Sequence, residues 1–377
     1  MSPKLDFFDE QSEQSKVKAK LVTDYFNAWS RVMRNHWRGP IGYIDLFCGP
    51  GRYKDGNKSV PMILLEKIAE DSTLSPRMLF VFNDANPENT ANLKSEVEKL
   101  PYGTEMLKRI EFTNRIIDKA YPSSINIHPN IPILSFVDPW GYKGLTMELI
   151  ELLIRNKGSE CIFFFNYNRI NMAMSSNTYF DEHLEGIFGK EHTAVLKQEM
   201  LLLSAGHREQ VLLNALISTL KNRSGYYVLP FKFYCQKIAR TSHFIIFVTK
   251  HSAGYKIMKE IMYSNSAKDV DGVANFSFKD SYNFGSQPEQ LSIFSRPLDE
   301  LCIALETNNS GKRIPVKQLC DCVMLDTTNN FVSQNVKDAL RRLEKKGKVK
   351  IIGRKKKYQN GKVTMPDDAT VFFANKE

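Results

Sequence analysis

Tyr43-Ile-Asp-Leu-Phe-Cys-Gly-Pro-Gly51 runs a short apolar strand into a glycine turn, and the fold follows from what surrounds it. Ahead of it, Gln14–Val32 reads as a helix, with Val17, Leu21, Tyr25 and Trp29 at helical spacing. Behind it, a helix is expected at about Val60–Glu70 and a strand at Met78–Phe82 that ends in Asn83-Asp84. A helix over Glu88–Lys99, a short strand over Arg109–Thr113 and an apolar strand over Ile131–Val137 come next. That last strand ends in Asp138-Pro139-Trp140-Gly141, before a helix at Leu145–Asn156 and a strand at Glu160–Phe165. Strands that alternate with helices and are apolar throughout predict an α/β fold, a parallel sheet with helices on both faces.

Past that sheet the pattern changes. A mostly helical stretch from about Tyr179 to Asn222 leads to two strands, Tyr226–Cys235 and His243–Lys250, read as a hairpin that ends the sheet, and a helix at Gly254–Tyr263. Ser264–Phe294 is polar, with Gly285 and Pro288, and reads as a linker or arm. Helices at Pro297–Glu306, Val316–Met324 and Val332–Lys346, followed by strands at Val349–Ile352 and Thr370–Phe373, give the order of a winged helix. The domain reading is a helical segment over 1–40, the α/β domain over 41–265, a linker over 266–295 and a winged-helix domain over 296–377.

The chain has 377 residues, 42% hydrophobic and 25% charged, which excludes a mostly disordered protein. No apolar run approaches the ~18 residues of a membrane span, and the acidic, polar start does not read as a signal peptide. The six cysteines form no framework, and Cys320 and Cys322 are too close together for a CxxC site. All six are expected as reduced thiols in a cytoplasmic protein, with no metal. The net charge is +10, and residues from Arg296 onward hold 17 Lys and Arg against 10 Asp and Glu. Such a concentration of positive charge points to nucleic acid, DNA or RNA, as a partner of the C-terminal part; the bland alternative is a solvated surface.

The chemistry is expected at the carboxyl ends of the strands, where open α/β sheets bind ligands. Glycines after Asp45-Leu-Phe47 let the backbone approach a ligand, so Asp45, Phe47, Gly49 and Gly51 are cofactor-site candidates. Asp84, at the end of the next strand, is placed to accept from ribose hydroxyls; the alternative is that it caps the helix near Pro87. The turn lacks the full GxGxxG, which disfavours NAD. Asp138, Pro139 and Trp140 resemble the Asp-Pro-Pro-aromatic turn of amino methyltransferases, in which the acid accepts from a target amine and the aromatic stacks on a flipped base. Only one proline is present, and a structural turn is the alternative. Asn166-Tyr-Asn-Arg169 is more simply a loop, His243 and His251 more simply structural, and a metal held by Asp45 and Asp138 lacks the accompanying Lys and Glu of a nuclease.

Taken together, DLFCGPGRY (Asp45–Tyr53), Ser59–Leu64, FNDANP (Phe82–Pro87), FVDPWG (Phe136–Gly141) and FVTKHSAGYKIM (Phe247–Met258) resemble the three-Cys-motif partner protein family, TcmP. The resemblance spans roughly Gln14 to Phe294. It implies a Rossmann-like, class I methyltransferase sheet, S-adenosylmethionine (SAM) as cofactor, and a radical-SAM-like protein with a three-cysteine motif as partner. Family members carry Asp-x-Asn after the third strand, where the adenine edge would be read; here the sequence is Phe112-Thr-Asn114, leaving Asn114 for that role. The expected function is a SAM-dependent methyltransferase-like protein acting on nucleic acid with that partner. The alternative is a non-catalytic subunit that binds nucleic acid and presents it to the partner.

In the basic C-terminal region, Val332, Val336, Ala339, Leu340 and Leu343 make one apolar helix face. Asn335, Arg341, Arg342 and Lys345 fall mainly elsewhere and are expected to enter a groove, while Arg354, Lys355, Lys356 and Lys357 lie in a wing that would grip phosphates.

Overall fold

The computed structural model describes residues 11–139, 144–175, 181–223, 227–235, 240–268, 271–278, 296–354 and 364–375. Two compact units divide the chain, one running to Ile261 with Phe278, the other taking Met262–Ser277 and the residues from Arg296 onward. The described part of the expected linker, up to Ser277, thus clusters with the C-terminal unit.

The larger unit opens with α1 (Glu13–His36), whose N-terminus is capped by Ser12 accepting from the Ser15 N–H. Its buried face carries Leu21, Val22, Tyr25, Phe26 and Trp29. Then come β1 (Ile41–Asp45), α2 (Val60–Ala69), β2 (Met78–Asn83), α3 (Pro87–Glu98), α4 (Gly103–Leu107), β3 (Ile110–Thr113), α5 (Tyr121–Ser124), β4 (Ile133–Val137), α6 (Met147–Leu153) and β5 (Glu160–Phe165). Four helices follow, α7 (Tyr167–Ser175), α8 (Asp181–Phe188), α9 (Lys190–Leu201) and α10 (Ala205–Arg223), and then β6 (Tyr227–Tyr234) and β7 (Thr241–Thr249); the last residues of α11 (Ser252–Ser264) and the first of the short β8 (Ser277–Phe278) belong to the other unit.

The strands form one sheet in the order β3-β2-β1-β4-β5-β7-β6-β8. Strands β3, β2, β1, β4 and β5 pair in parallel, and β7 lies antiparallel to both β5 and β6. This mostly parallel sheet flanked by helices is a Rossmann-like, doubly wound α/β fold. The expected antiparallel hairpin is present at this end of the sheet: β6 and β7 pair with each other, β7 beside β5 and β6 outside it, with only the two-residue β8 beyond. Burial explains this: β7 is covered along nearly its whole length, whereas β6 alternates buried and half-buried residues. No described helix is long and apolar enough to cross a membrane.

The order of strands reverses between β1 and β4, so their carboxyl ends form the switch point at which such sheets bind ligands. The glycine turn after β1 is held open there by Gly49 and Gly51, at φ 65° and 88°. At Gly51 the constraint is packing as well as conformation. A Cβ there would lie 3.0 Å from Leu93 Cδ1 and 3.3 Å from Leu93 Cα, on the backbone of α3. Gly51→Ala is therefore expected to destabilise the unit by about 2 kcal/mol or more, as backbone strain and crowding add. A melting curve that matches wild type would show that the turn can move away from α3.

The C-terminal unit holds α12 (Pro297–Asn309), β9 (Arg313–Pro315), α13 (Val316–Leu325), α14 (Ser333–Lys345), β10 (Val349–Ile352) and β11 (Thr370–Phe373). Its three strands form an antiparallel sheet in the order β10-β11-β9. Leu301, Leu319, Val336, Leu340, Val371 and Phe373 meet in its core. Strand β9, three residues long, is absent from the sequence reading because so short a run carries no periodicity.

Candidate functional site

Asp45 closes β1, Asp84 follows β2 and Asp138 follows β4, so three neighbouring strands deliver three carboxylates to one sheet edge. All three line a cleft of about 640 Å³ together with Phe47, Gly49 and Pro139. Its size suits a nucleotide-sized ligand.

Asp45 is buried, and one of its carboxylate oxygens accepts from the Phe47 N–H at 3.1 Å. Burial pushes its carboxyl up to about 8; the Phe47 N–H opposes this, and the nearby charges of Asp138 and Asp84 add to it. The group is thus protonated at neutral pH and closes the floor of the cleft without charge. Cys48, in the same turn, is held as a neutral thiol chiefly by burial, which pushes its pKa up.

Asp84 faces the turn. Its Oδ2 accepts from the Gly49 N–H at 3.1 Å and its Oδ1 from the Asn86 N–H at 2.9 Å. The alternative that Asp84 caps the next helix does not hold, since Asn86 is the N-cap of α3 and its side chain accepts from the Glu88 N–H. Each Asp84 oxygen keeps a second lone pair for a hydroxyl donor. Asn114 donates to the Asp84 carbonyl at 2.9 Å and to Thr90 Oγ1 at 2.7 Å, and so braces the β2 turn without lining the cleft. Gly51 also stays outside the lining, packed against Leu93.

Asp138 carries the ion pair that the sequence did not foreshadow. Lys18 Nζ of α1 rests on its Oδ2, with the two side chains only 13% and 20% exposed. The same ammonium lies 5.4 Å from the centroid of the Phe164 ring. Behind it, His243 stacks between Phe164 and Phe233, with centroids 4.4 and 4.6 Å away. Burial, and then the Lys18 charge, depress the His243 pKa to about 3, so it is a neutral packing group, as expected of it. Residue Trp140 lies outside the described residues. The stretch read as a loop after β5 instead starts α7, where Asn166 Oδ1 accepts from the Arg169 N–H at 3.2 Å.

Helix α1 and the two residues ahead of it supply most of what sequence reasoning missed: Gln11, Ser12, Gln14, Ser15 and Lys18 all line the cleft. Gln14 Nε2 donates to the Tyr234 carbonyl at 2.5 Å and ties the helix to β6. Nothing in the sequence separates Lys18 from Lys16 or Lys20. Ser59, just ahead of α2, has a buried hydroxyl without a partner that lines the cleft beside the first residues of that helix. An unsatisfied hydroxyl at a helix N-terminus suits an anionic group, such as the carboxylate of an amino acid. The donors and acceptors present therefore fit SAM: Asp84 for ribose hydroxyls, and the Gly49 turn with Ser59 for the methionine end.

In the C-terminal unit the expected groove-reading residues divide. Asn335 is buried; its Oδ1 accepts from the Val332 N–H at 2.9 Å and its Nδ2 donates to Tyr263 OH at 3.2 Å. Its role is to close the start of α14, which corrects the expectation that it reads a base. Arg341 pairs with Asp338 at 2.7 Å, Arg342 with Asp299 at 2.8 Å, and Arg354 with Glu344. Lys345 is exposed, and Lys355, Lys356 and Lys357 lie outside the described residues.

No protein-family model matches the chain, and no curated protein matches it. Solved structures similar to it include the methyltransferase domain of bacterial CtHen1-C, at 12% identity and a TM-score of 0.32 over 62% of this chain and all of that one. The plantazolicin methyltransferase BpumL in complex with SAH is 13% identical, with a TM-score of 0.33 over 63% of this chain and 86% of that one. Precorrin-6y C5,15-methyltransferase from Geobacter metallireducens GS-15 is 11% identical, with a TM-score of 0.32 over 64% and 94%. These likenesses are distant, and the strand order of this chain is what defines its sheet.

Proposed function

We propose that the protein is a SAM-dependent methyltransferase that acts on an amine of a nucleic acid. The observation that carries the reading is the row of Asp84, Asp45 and Asp138 at the ends of β2, β1 and β4, around a glycine turn at the switch point of the sheet. When bound, SAM supplies an electrophilic methyl group. Asp84 holds its ribose, while Gly49 and Ser59 receive its amino-acid end. Asp138 accepts from the target amine and so orients the nitrogen. The nucleic-acid part rests on the basic C-terminal unit, whose element order is that of a winged helix. The resemblance of the five motif stretches to the three-Cys-motif partner family supports a radical-SAM-like partner.

A second reading, a non-catalytic subunit that presents nucleic acid to that partner, is favoured by the Lys18 ammonium already seated on Asp138. Calorimetry with SAM separates the two. Wild type is expected to bind, and Asp84→Ala to weaken binding about tenfold or more, the effect of removing a charged acceptor. Absence of heat with wild-type protein would overturn the enzyme reading in favour of the subunit.

A further inference from the structure

We propose that the C-terminal unit binds single-stranded nucleic acid along a groove beside β9 and across the outer face of its small sheet, rather than by placing α14 in a duplex groove. The proposal rests on the nucleic-acid reading above and names the surface and the form of the polymer.

Two observations carry it. The first is a row across the sheet. Lys350 of β10 pairs with Phe372 of β11, which pairs with Arg313 of β9, so the three side chains share a face. Their neighbours Val349, Ile351, Val371 and Phe373 are buried on the opposite face, in the core of the unit. Lys350 and Arg313 are exposed, and the Arg313 guanidinium lies 4.9 Å from the centroid of the Phe372 ring. A flat cation stacked on an aromatic offers a platform to which a base can add, and only an unpaired base exposes its face for that.

The second is the groove that Arg313 also lines. It measures about 740 Å³, and Lys312, Arg313, Asn308, Gln318 and Phe331 are among the residues that line it. Amides read base edges and cations meet phosphates, and Asp326 is the single acid of the lining. Groove and sheet face meet at Arg313, giving a continuous basic path with an aromatic step. Of the four residues expected to enter a duplex groove, Asn335 is buried and Arg341 and Arg342 are paired with acids, which leaves Lys345 exposed.

The test is fluorescence anisotropy on the full chain, with labelled oligouridylate and oligothymidylate of about ten nucleotides and a duplex of equal length. Single strands are expected to bind at least tenfold more tightly than the duplex, and the ratio between the two single strands assigns RNA or DNA. Arg313→Ala is expected to weaken single-strand binding about tenfold and to lower the salt slope by about one unit. Phe372→Leu, which keeps an apolar side chain on the strand, is expected to weaken it about as much without changing that slope. Lys94→Ala on α3 controls for loss of a charge elsewhere. Tighter duplex binding that is lost on neutralising Arg341 and Arg342 but survives Arg313→Ala would overturn the proposal and restore the helix as reader. Binding of none of the three probes at low salt would instead remove the nucleic-acid reading itself.

Discussion

Asp138→Ala is expected to abolish methyl transfer, to leave SAM affinity nearly unchanged, and to lower stability. The first two follow from its place at the end of β4, apart from the Gly49–Asp84 side of the cleft: a group used only at the reacting centre affects the rate and not the cofactor. The third follows from Lys18. With its partner removed, an ammonium 13% exposed stays against Phe164 and the sheet edge without a counter-charge. Breaking a buried pair from one side costs ~3–5 kcal/mol; this one retains some solvent, so about 3 kcal/mol is expected. The double variant Lys18→Met with Asp138→Ala separates the effects, since it is expected to recover most of the melting temperature and none of the transfer. Wild-type turnover in the folded double variant would remove Asp138 from the chemistry. Lys18→Met alone also clears the carboxylate of its internal ammonium, so affinity for an amine-bearing acceptor is expected to rise.

The second large effect lies at the opposite end of the sheet. Glu160, at the start of β5, is buried and accepts from Tyr25 OH and, at 2.6 Å, from Thr249 Oγ1. Burial pushes its carboxyl from 4.5 up to about 7, against the lowering effect of those two bonds. The native state therefore holds this proton more tightly than the unfolded chain does. Below the unfolded value both states are protonated, and nothing is lost. As pH rises from about 4.5 to 7, the unfolded chain gives up the proton first, and stability falls through that window before levelling off above it. A shift of this size corresponds to about 3 kcal/mol. Asp45, raised to about 8 by burial, adds a slope of the same sign over a wider range. Glu160→Gln, whose carbonyl accepts from one hydroxyl while its amide N–H donates to the oxygen of the other, is expected to remove its share of the slope and to melt above wild type at pH 8 but not at pH 4. Parallel melting-temperature profiles for the two proteins would show that Glu160 does not titrate in this window.

Much of the candidate site was legible because it is local. An apolar strand, two glycines that need positive φ and an acid at the carboxyl end of β1, β2 or β4 are all statements about adjacent residues, and the structure brings Asp45, Asp84 and Asp138 to one cleft. The less legible parts are contacts between distant segments. Asn114, at the end of β3, braces the turn of Asp84 from behind, and Gly51 serves α3 rather than the ligand. Asn335 sits on a helix whose apolar stripe was read correctly, but its amide turns inward to close that helix and meet Tyr263.

What the sequence by itself determined is the alternation of apolar strands and helices, the glycine turn at the end of β1 and the concentration of positive charge past Arg296, since periodicity, backbone freedom and net charge are properties of the chain. Only the tertiary structure decided that β7 lies between β5 and β6, that α1 reaches the cleft through Lys18, and that Arg313, Phe372 and Lys350 form one row. The physical reason is shared: strand order, a cross-cleft ion pair and a row across three strands are set by which distant surfaces exclude water together, and no short window of residues records that choice.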